Sequence, residues 1–130
     1  MSDWLELLRN PWWFLPIGYV LTISIETPIL CLGLSREHPF SRRFWCGVWL
    51  TACTYPIVVL VIPQFISIDD DYLAYLLVAE TVAHFGECAL FYAAFQPLKQ
   101  PWRDMLVVFG ANFASCLFGL LLWCSLGTYA

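Results

Sequence analysis

Apolar residues run along this chain in four long stretches, residues 12–34, 44–66, 72–95 and 105–126, separated by short polar segments. Each is long enough to cross a hydrocarbon core of about 30 Å as a helix, at about 1.5 Å per residue. A backbone in lipid must satisfy its own N–H and C=O groups, so spans of this length fold as helices. The pattern predicts an all-α integral membrane protein. Its short loops make it a four-transmembrane-helix antiparallel bundle, one unit over residues 1–130.

Ahead of the first stretch, residues 1–10 read as a short interfacial helix capped by Ser2 or Asp3, with Trp4, Leu5 and Leu8 on one face. No basic n-region or small-residue cleavage pattern marks a signal peptide.

Composition agrees with a lipid-facing chain. Hydrophobic residues make up 61% and charged residues 12%, against roughly 25% charged in an average soluble domain. The net charge of −4 and the lack of a basic stripe exclude a nucleic-acid partner. Six cysteines all lie in apolar stretches without a C-x-x-C pair, so they read as small packing residues rather than a disulfide framework.

Charge placement sets the orientation. Loop 35–43 carries Arg36, Arg42 and Arg43, and loop 96–104 carries Lys99 and Arg103. Loop 67–71, Ser67-Ile68-Asp69-Asp70-Asp71, has no base, and only Arg9 of the six basic residues lies on its side. The positive-inside rule therefore places loops 35–43 and 96–104 in the cytoplasm, with loop 67–71 and both termini outside the cell membrane, N-out and C-out.

Aromatic belts fit the same boundaries, with Trp12, Trp13, Tyr72 and Trp123 at the outer interface and Trp45, Trp49, Tyr92 and Trp102 at the inner one. Asp69, Asp70 and Asp71 read as a solvated turn capping the third helix rather than a divalent-ion site. Arg36, Arg42 and Arg43 read as contacts for anionic headgroups, and His38 as a solvated loop histidine.

Glu26, Glu80, His84 and Glu87 interrupt the apolar stretches. A carboxylate at membrane depth costs several kcal/mol unless it is neutral, paired or wet, so these residues are the candidates for function. Glu80, His84 and Glu87 are four and three residues apart, on one face of the third helix. Counting helical rise puts His84 near the midplane and Glu26 and Glu87 at one common level. Thr51, Thr54 and Tyr55 on the second helix, Asn112, Ser115, Cys116 and Gly119 on the fourth, and Thr22 on the first offer polar groups at similar depth.

Convergence of those faces would form a polar layer inside an apolar shell. Pro28 and Pro56 each free a backbone carbonyl beside it, and Pro16 and Pro63 interrupt the spans elsewhere. Ala111, Ser115 and Gly119, spaced by four, read as a helix-packing stripe within the chain.

Three functions compete for this layer. Read structurally, its carboxyl groups fix the register of the bundle, and the chain is an accessory subunit of a larger membrane assembly, with lipid and other membrane subunits or a second copy as partners. The alternative is a small cation- or proton-handling carrier using Glu26, Glu80, His84, Glu87, Thr51 and Asn112. A membrane-embedded metal enzyme comes third, with a divalent metal on the three carboxylates and the imidazole. No G-x-S-x-G or H-E-x-x-H signature and no haem or nucleotide motif accompanies them, so the enzyme reading ranks below the other two.

Overall fold

A computed structural model describes residues 10–127. The described residues are all helical outside the loops, and four helices are long and apolar enough to cross a membrane. They are α1, Pro11–Gly33; α2, Phe40–Pro56; α3, Tyr72–Ala94; and α4, Pro101–Gly127. Helix α2 runs on through a wide π-helical turn, Ile57–Val61, and a tight 3-10 turn, Ile62–Gln64. The proposed interfacial helix falls on residues 1–9, outside the described residues, and on Asn10.

Local chemistry sets the helix starts. Asn10 precedes Pro11, whose missing N–H costs nothing in a first turn, and its Oδ1 accepts the Trp12 amide at 3.1 Å. Asp71 caps α3 by accepting the Ala74 amide at 3.0 Å, as expected of the acidic turn, whose three aspartates are exposed. Pro39 and Pro101 stand at the starts of α2 and α4. Those two helices therefore begin at Phe40 and Pro101, four residues earlier than hydropathy placed them. Arg42, Arg43, Arg103 and Asp104, read as loop residues, lie in first helical turns, where their charged ends reach the loops and the end of α1.

The helices pack as a ring in which α1 touches α2 and α4, and α3 closes the other side. Between them lies a core of Leu30, Leu34, Cys46, Leu50, Phe91, Val108 and Ala111. It sits where the C-terminal halves of α1 and α3 meet the N-terminal halves of α2 and α4. Outward faces remain apolar, as at Leu32, Phe65, Trp102 and Leu121. An apolar exterior is the surface a helix presents to lipid.

Close approach of α1 and α2 depends on Gly47. A Cβ there would lie 2.8 Å from the backbone Cα of Thr27 and closer still to that residue's side chain. The stripe expected on α4 divides: Ala111 is buried and Ser115 turns inward, but Gly119 has open space where a side chain would be. Thr27 itself has a buried hydroxyl with no hydrogen-bond partner among the described residues. Thr27→Val keeps the shape and removes that unpaired group, so it should raise thermal stability in detergent by about 1 kcal/mol. A destabilised Thr27→Val protein would show that the hydroxyl has a partner.

Candidate functional site

Two of the buried acids form one layer with residues from α2 and α4. Glu26 on α1 accepts the Thr51 hydroxyl of α2 on Oε2 at 2.8 Å and the Ser115 hydroxyl of α4 on Oε1 at 2.6 Å. Glu87 on α3 accepts the Thr54 hydroxyl of α2 on Oε1 at 2.7 Å and the Asn112 amide of α4 on Oε2 at 2.8 Å. Thr51 and Thr54 are three residues apart on α2, as are Asn112 and Ser115 on α4. This spacing faces both pairs inward. Each oxygen of each carboxyl group therefore has a donor from a neighbouring helix, and the layer ties all four helices. Glu26 and Glu87 are buried to 1% and 2% exposure, where unpaired oxygens would be costly.

The donors have second acceptors within their own helices. Thr51 Oγ1 lies 3.0 Å from the Gly47 carbonyl, Thr54 Oγ1 3.3 Å from that of Leu50, and Ser115 Oγ 2.9 Å from that of Asn112. A hydroxyl has one hydrogen to give and lone pairs to receive. With the carboxylate charged, that hydrogen points to it. With the carboxyl group protonated on the facing oxygen, the acid donates to the hydroxyl, whose hydrogen turns to the helix carbonyl. Either protonation state leaves every polar hydrogen with an acceptor and moves only hydrogens.

Glu80 and His84 stand apart from this layer. Glu80 lies two helical turns from Glu87, about 10 Å along the axis, so a shared face does not give a shared level. It remains partly exposed, near Cys116 of α4. His84 Nδ1 is 2.7 Å from the Glu80 backbone carbonyl, which only accepts, so this nitrogen carries the hydrogen. The His84 ring packs on Phe109 at 4.6 Å between centroids. Tyr55 turns away to lie against Gly18 and Tyr19. Thr22 takes no part in the layer's hydrogen bonds.

A second polar cluster joins the loops, and sequence reading missed it. Asp104, with 0% exposure, accepts the Ser35 amide at 2.8 Å, the Ser35 hydroxyl at 3.0 Å and His38 Nε2 at 3.0 Å. His38 is 2% exposed, so the expectation of a solvated histidine is corrected. Its ring is enclosed by Phe91 and Phe95. Glu37 lies 3.3 Å from the same nitrogen and accepts the Lys99 amide on both oxygens. One signal in the sequence was available: Pro101 marks a helix start, which would have put Asp104 in a first turn.

Among the described residues, Glu37, His38 and Asp104 are the group whose potential ligand atoms lie within 4.8 Å of one another. Their hydrogen bonding does not suit a metal. The Arg42 guanidinium faces His38 Nδ1 at 3.4 Å and can only donate. Nδ1 is then an acceptor, and Nε2 carries the hydrogen toward Asp104. A metal-bound imidazole needs the reverse, a lone pair on the metal and its other N–H on an acceptor. The cluster is a hydrogen-bonded clamp between the first and third loops.

Arginines finish the end of α1. Arg43 donates to the Cys31 carbonyl and Arg103 to the Gly33 carbonyl at 3.2 Å. Cations at a helix C-terminus complement its partial negative charge. Arg43, expected at lipid headgroups, makes this bond while half-buried, Arg36 is exposed, and Arg42 lies 5.2 Å over the Phe95 ring.

Compared with known protein families, with characterised proteins and with solved structures, the chain matches none. Any functional reading therefore rests on the geometry of the two polar clusters and the membrane-like character of the helices.

Proposed function

We propose that this chain is a small multi-pass membrane protein that serves as an accessory, structural subunit of a larger membrane assembly. The observation that carries this reading is that Glu26 and Glu87 are fully engaged within the chain, each by donors from two neighbouring helices. Acids bonded in this way hold helix register, because sliding one helix past another breaks bonds that lipid cannot replace. The outward faces are apolar and suit lipid or the helices of partner subunits.

In this proposal the helices form one antiparallel bundle with both termini outside. The basic residues Arg36, Arg42, Arg43, Lys99 and Arg103 at one end and Asp69, Asp70 and Asp71 at the other support that orientation. Reporter fusions at Asp70 and Lys99 should report opposite sides of the membrane. The same side for both would contradict the topology.

The subunit reading is tested by extracting the protein from its native membranes in mild detergent and weighing the intact particle by native mass spectrometry. A particle holding other polypeptides in fixed ratio is expected. A lone 14.9 kDa chain would contradict it.

A second reading, a small proton- or cation-handling carrier, has one observation in its favour. The three hydroxyls facing Glu26 and Glu87 each have a second acceptor, so the layer accommodates a proton without rearrangement. Glutamine separates the two readings. In Glu26→Gln and Glu87→Gln the amide oxygen accepts one bond and the NH2 donates the other, so register survives while the titratable group is lost.

A further inference from the structure

An apolar cleft opens beside Arg42, whose guanidinium stands over the Phe95 ring at its edge. It encloses about 190 Å³ and is lined by Arg42, Trp45, Cys46, Trp49 and Phe95. Arg42, Trp45, Cys46 and Trp49 follow the i, i+3, i+4, i+7 spacing of one face of α2. That face therefore begins with a cation near the loop end and continues for about 10 Å as aromatic and apolar surface. Phe95, at the end of α3, closes the other wall, its ring centroid 6.5 Å from that of Trp49.

Arg42 is set for an external anion. Its guanidinium carbon lies 5.2 Å from the Phe95 ring centroid and one nitrogen is turned toward His38 Nδ1, which leaves most of its five N–H donors without a hydrogen-bond partner among the described residues. The residue is exposed, and the ion-pair contacts among the described residues all involve histidine. Asp104 and Glu37 face His38 and backbone amides, so they leave Arg42 without a carboxylate partner. Arg36 and Lys99, also exposed at this end, add to the local positive charge.

We propose that this cleft binds one anionic phospholipid, its phosphate on the Arg42 guanidinium and an acyl chain along Trp45, Trp49 and Phe95. A planar guanidinium matches phosphate oxygens in a bidentate fork. A zwitterionic lipid has the same phosphate but brings its own cation into a basic region, which weakens it relative to a lipid of net negative charge. This inference is independent of the subunit reading, since it concerns a surface of α2 and α3 that the polar layer does not use.

Native mass spectrometry of the purified, delipidated chain, titrated separately with dioleoylphosphatidylglycerol and dioleoylphosphatidylcholine, tests it. The wild type should hold one phosphatidylglycerol about fivefold more tightly than phosphatidylcholine, the scale of one arginine near an anionic surface. Arg42→Gln should bring phosphatidylglycerol down to the phosphatidylcholine level, and Trp49→Ala should weaken both lipids. Arg36→Gln, outside the cleft, should change neither by more than about twofold, within the reach of general surface charge.

Equal binding of the two lipids by the wild type would overturn the proposal, as would equal losses in Arg36→Gln and Arg42→Gln. No lipid adduct at all would also overturn it and leave the cleft to a polypeptide partner. Arg42 and Trp49 are exposed, so both variants should fold, and their elution and melting behaviour beside wild type verifies this.

Discussion

Asp104→Ala is expected to lower stability by about 2–4 kcal/mol, the scale of leaving buried donors without their acceptor. Three donors converge on this fully buried carboxylate: the Ser35 amide, the Ser35 hydroxyl and His38 Nε2. Alanine leaves the Ser35 amide and hydroxyl without an acceptor, each at a cost of about 1–3 kcal/mol where water stays out, while Glu37, 3.3 Å away, remains for His38 Nε2. The site lies at a loop end, so water entering the gap should keep the total below the sum. Asp104→Asn retains one carbonyl oxygen and should cost roughly half as much. Thermal unfolding in detergent, followed by size-exclusion chromatography of heated samples, reads both. Wild-type stability in Asp104→Ala would mean that the first loop is held by other contacts.

Gly47→Leu should be comparably damaging for a steric reason. The position faces the Thr27 backbone, and even a Cβ would stand 2.8 Å from Thr27 Cα. Flexible side chains move aside at little cost, but a helix backbone does not. Helices α1 and α2 would have to separate, stretching the Thr51–Glu26 hydrogen bond and opening the core around Leu30 and Leu50. Overpacking in a tight core typically costs about 1–3 kcal/mol, and a leucine against backbone belongs at or above the top of that range. Gly119→Leu faces open space and should melt within about 0.5 kcal/mol of wild type. Equal effects at the two glycines would contradict the close approach at Gly47.

That contrast shows where sequence patterning stops. Small residues four apart on α4 suggested a packing stripe through Gly119, but spacing does not say which face of a helix meets a neighbour. Gly47, the one glycine of α2, is paired only with Thr51 at that spacing, although its backbone contact is the closer one. Hydropathy located all four helices, because the requirement for apolar length is local. It misplaced two helix starts because it treated charged residues as loop, whereas Arg43 and Arg103 reach back to the last carbonyls of α1.

Depth counting placed Glu26 and Glu87 at one level, and the threonines, Asn112 and Ser115 at the same height do meet them. The inclusion of Glu80 and His84 came from treating a common helix face as a common site. Two turns of helix separate Glu80 from Glu87, and only the lower acid reaches the donors on α2 and α4. His38 and Asp104 were illegible as a pair, since 66 residues of chain separate them. A histidine before proline in an arginine-rich loop gives no local hint of burial. The partner was visible only to an argument that started α4 at Pro101 and asked what an acid in its first turn would bind.

The central claim, that the Glu26 and Glu87 layer holds the four helices together through hydrogen bonds, is tested by thermal unfolding of two double variants in detergent. Glu26→Gln/Glu87→Gln keeps two inter-helix hydrogen bonds at each position, one accepted by the amide oxygen and one donated by the NH2 to a hydroxyl, and should melt close to wild type. Glu26→Leu/Glu87→Leu removes four inter-helix hydrogen bonds, at about 0.6 kcal/mol each in a membrane protein. It should therefore be less stable by about 2 kcal/mol, with Thr51, Thr54, Ser115 and Asn112 turning back to their own helix carbonyls. A leucine pair as stable as wild type, or a glutamine pair that falls as far as the leucine pair, would contradict the account.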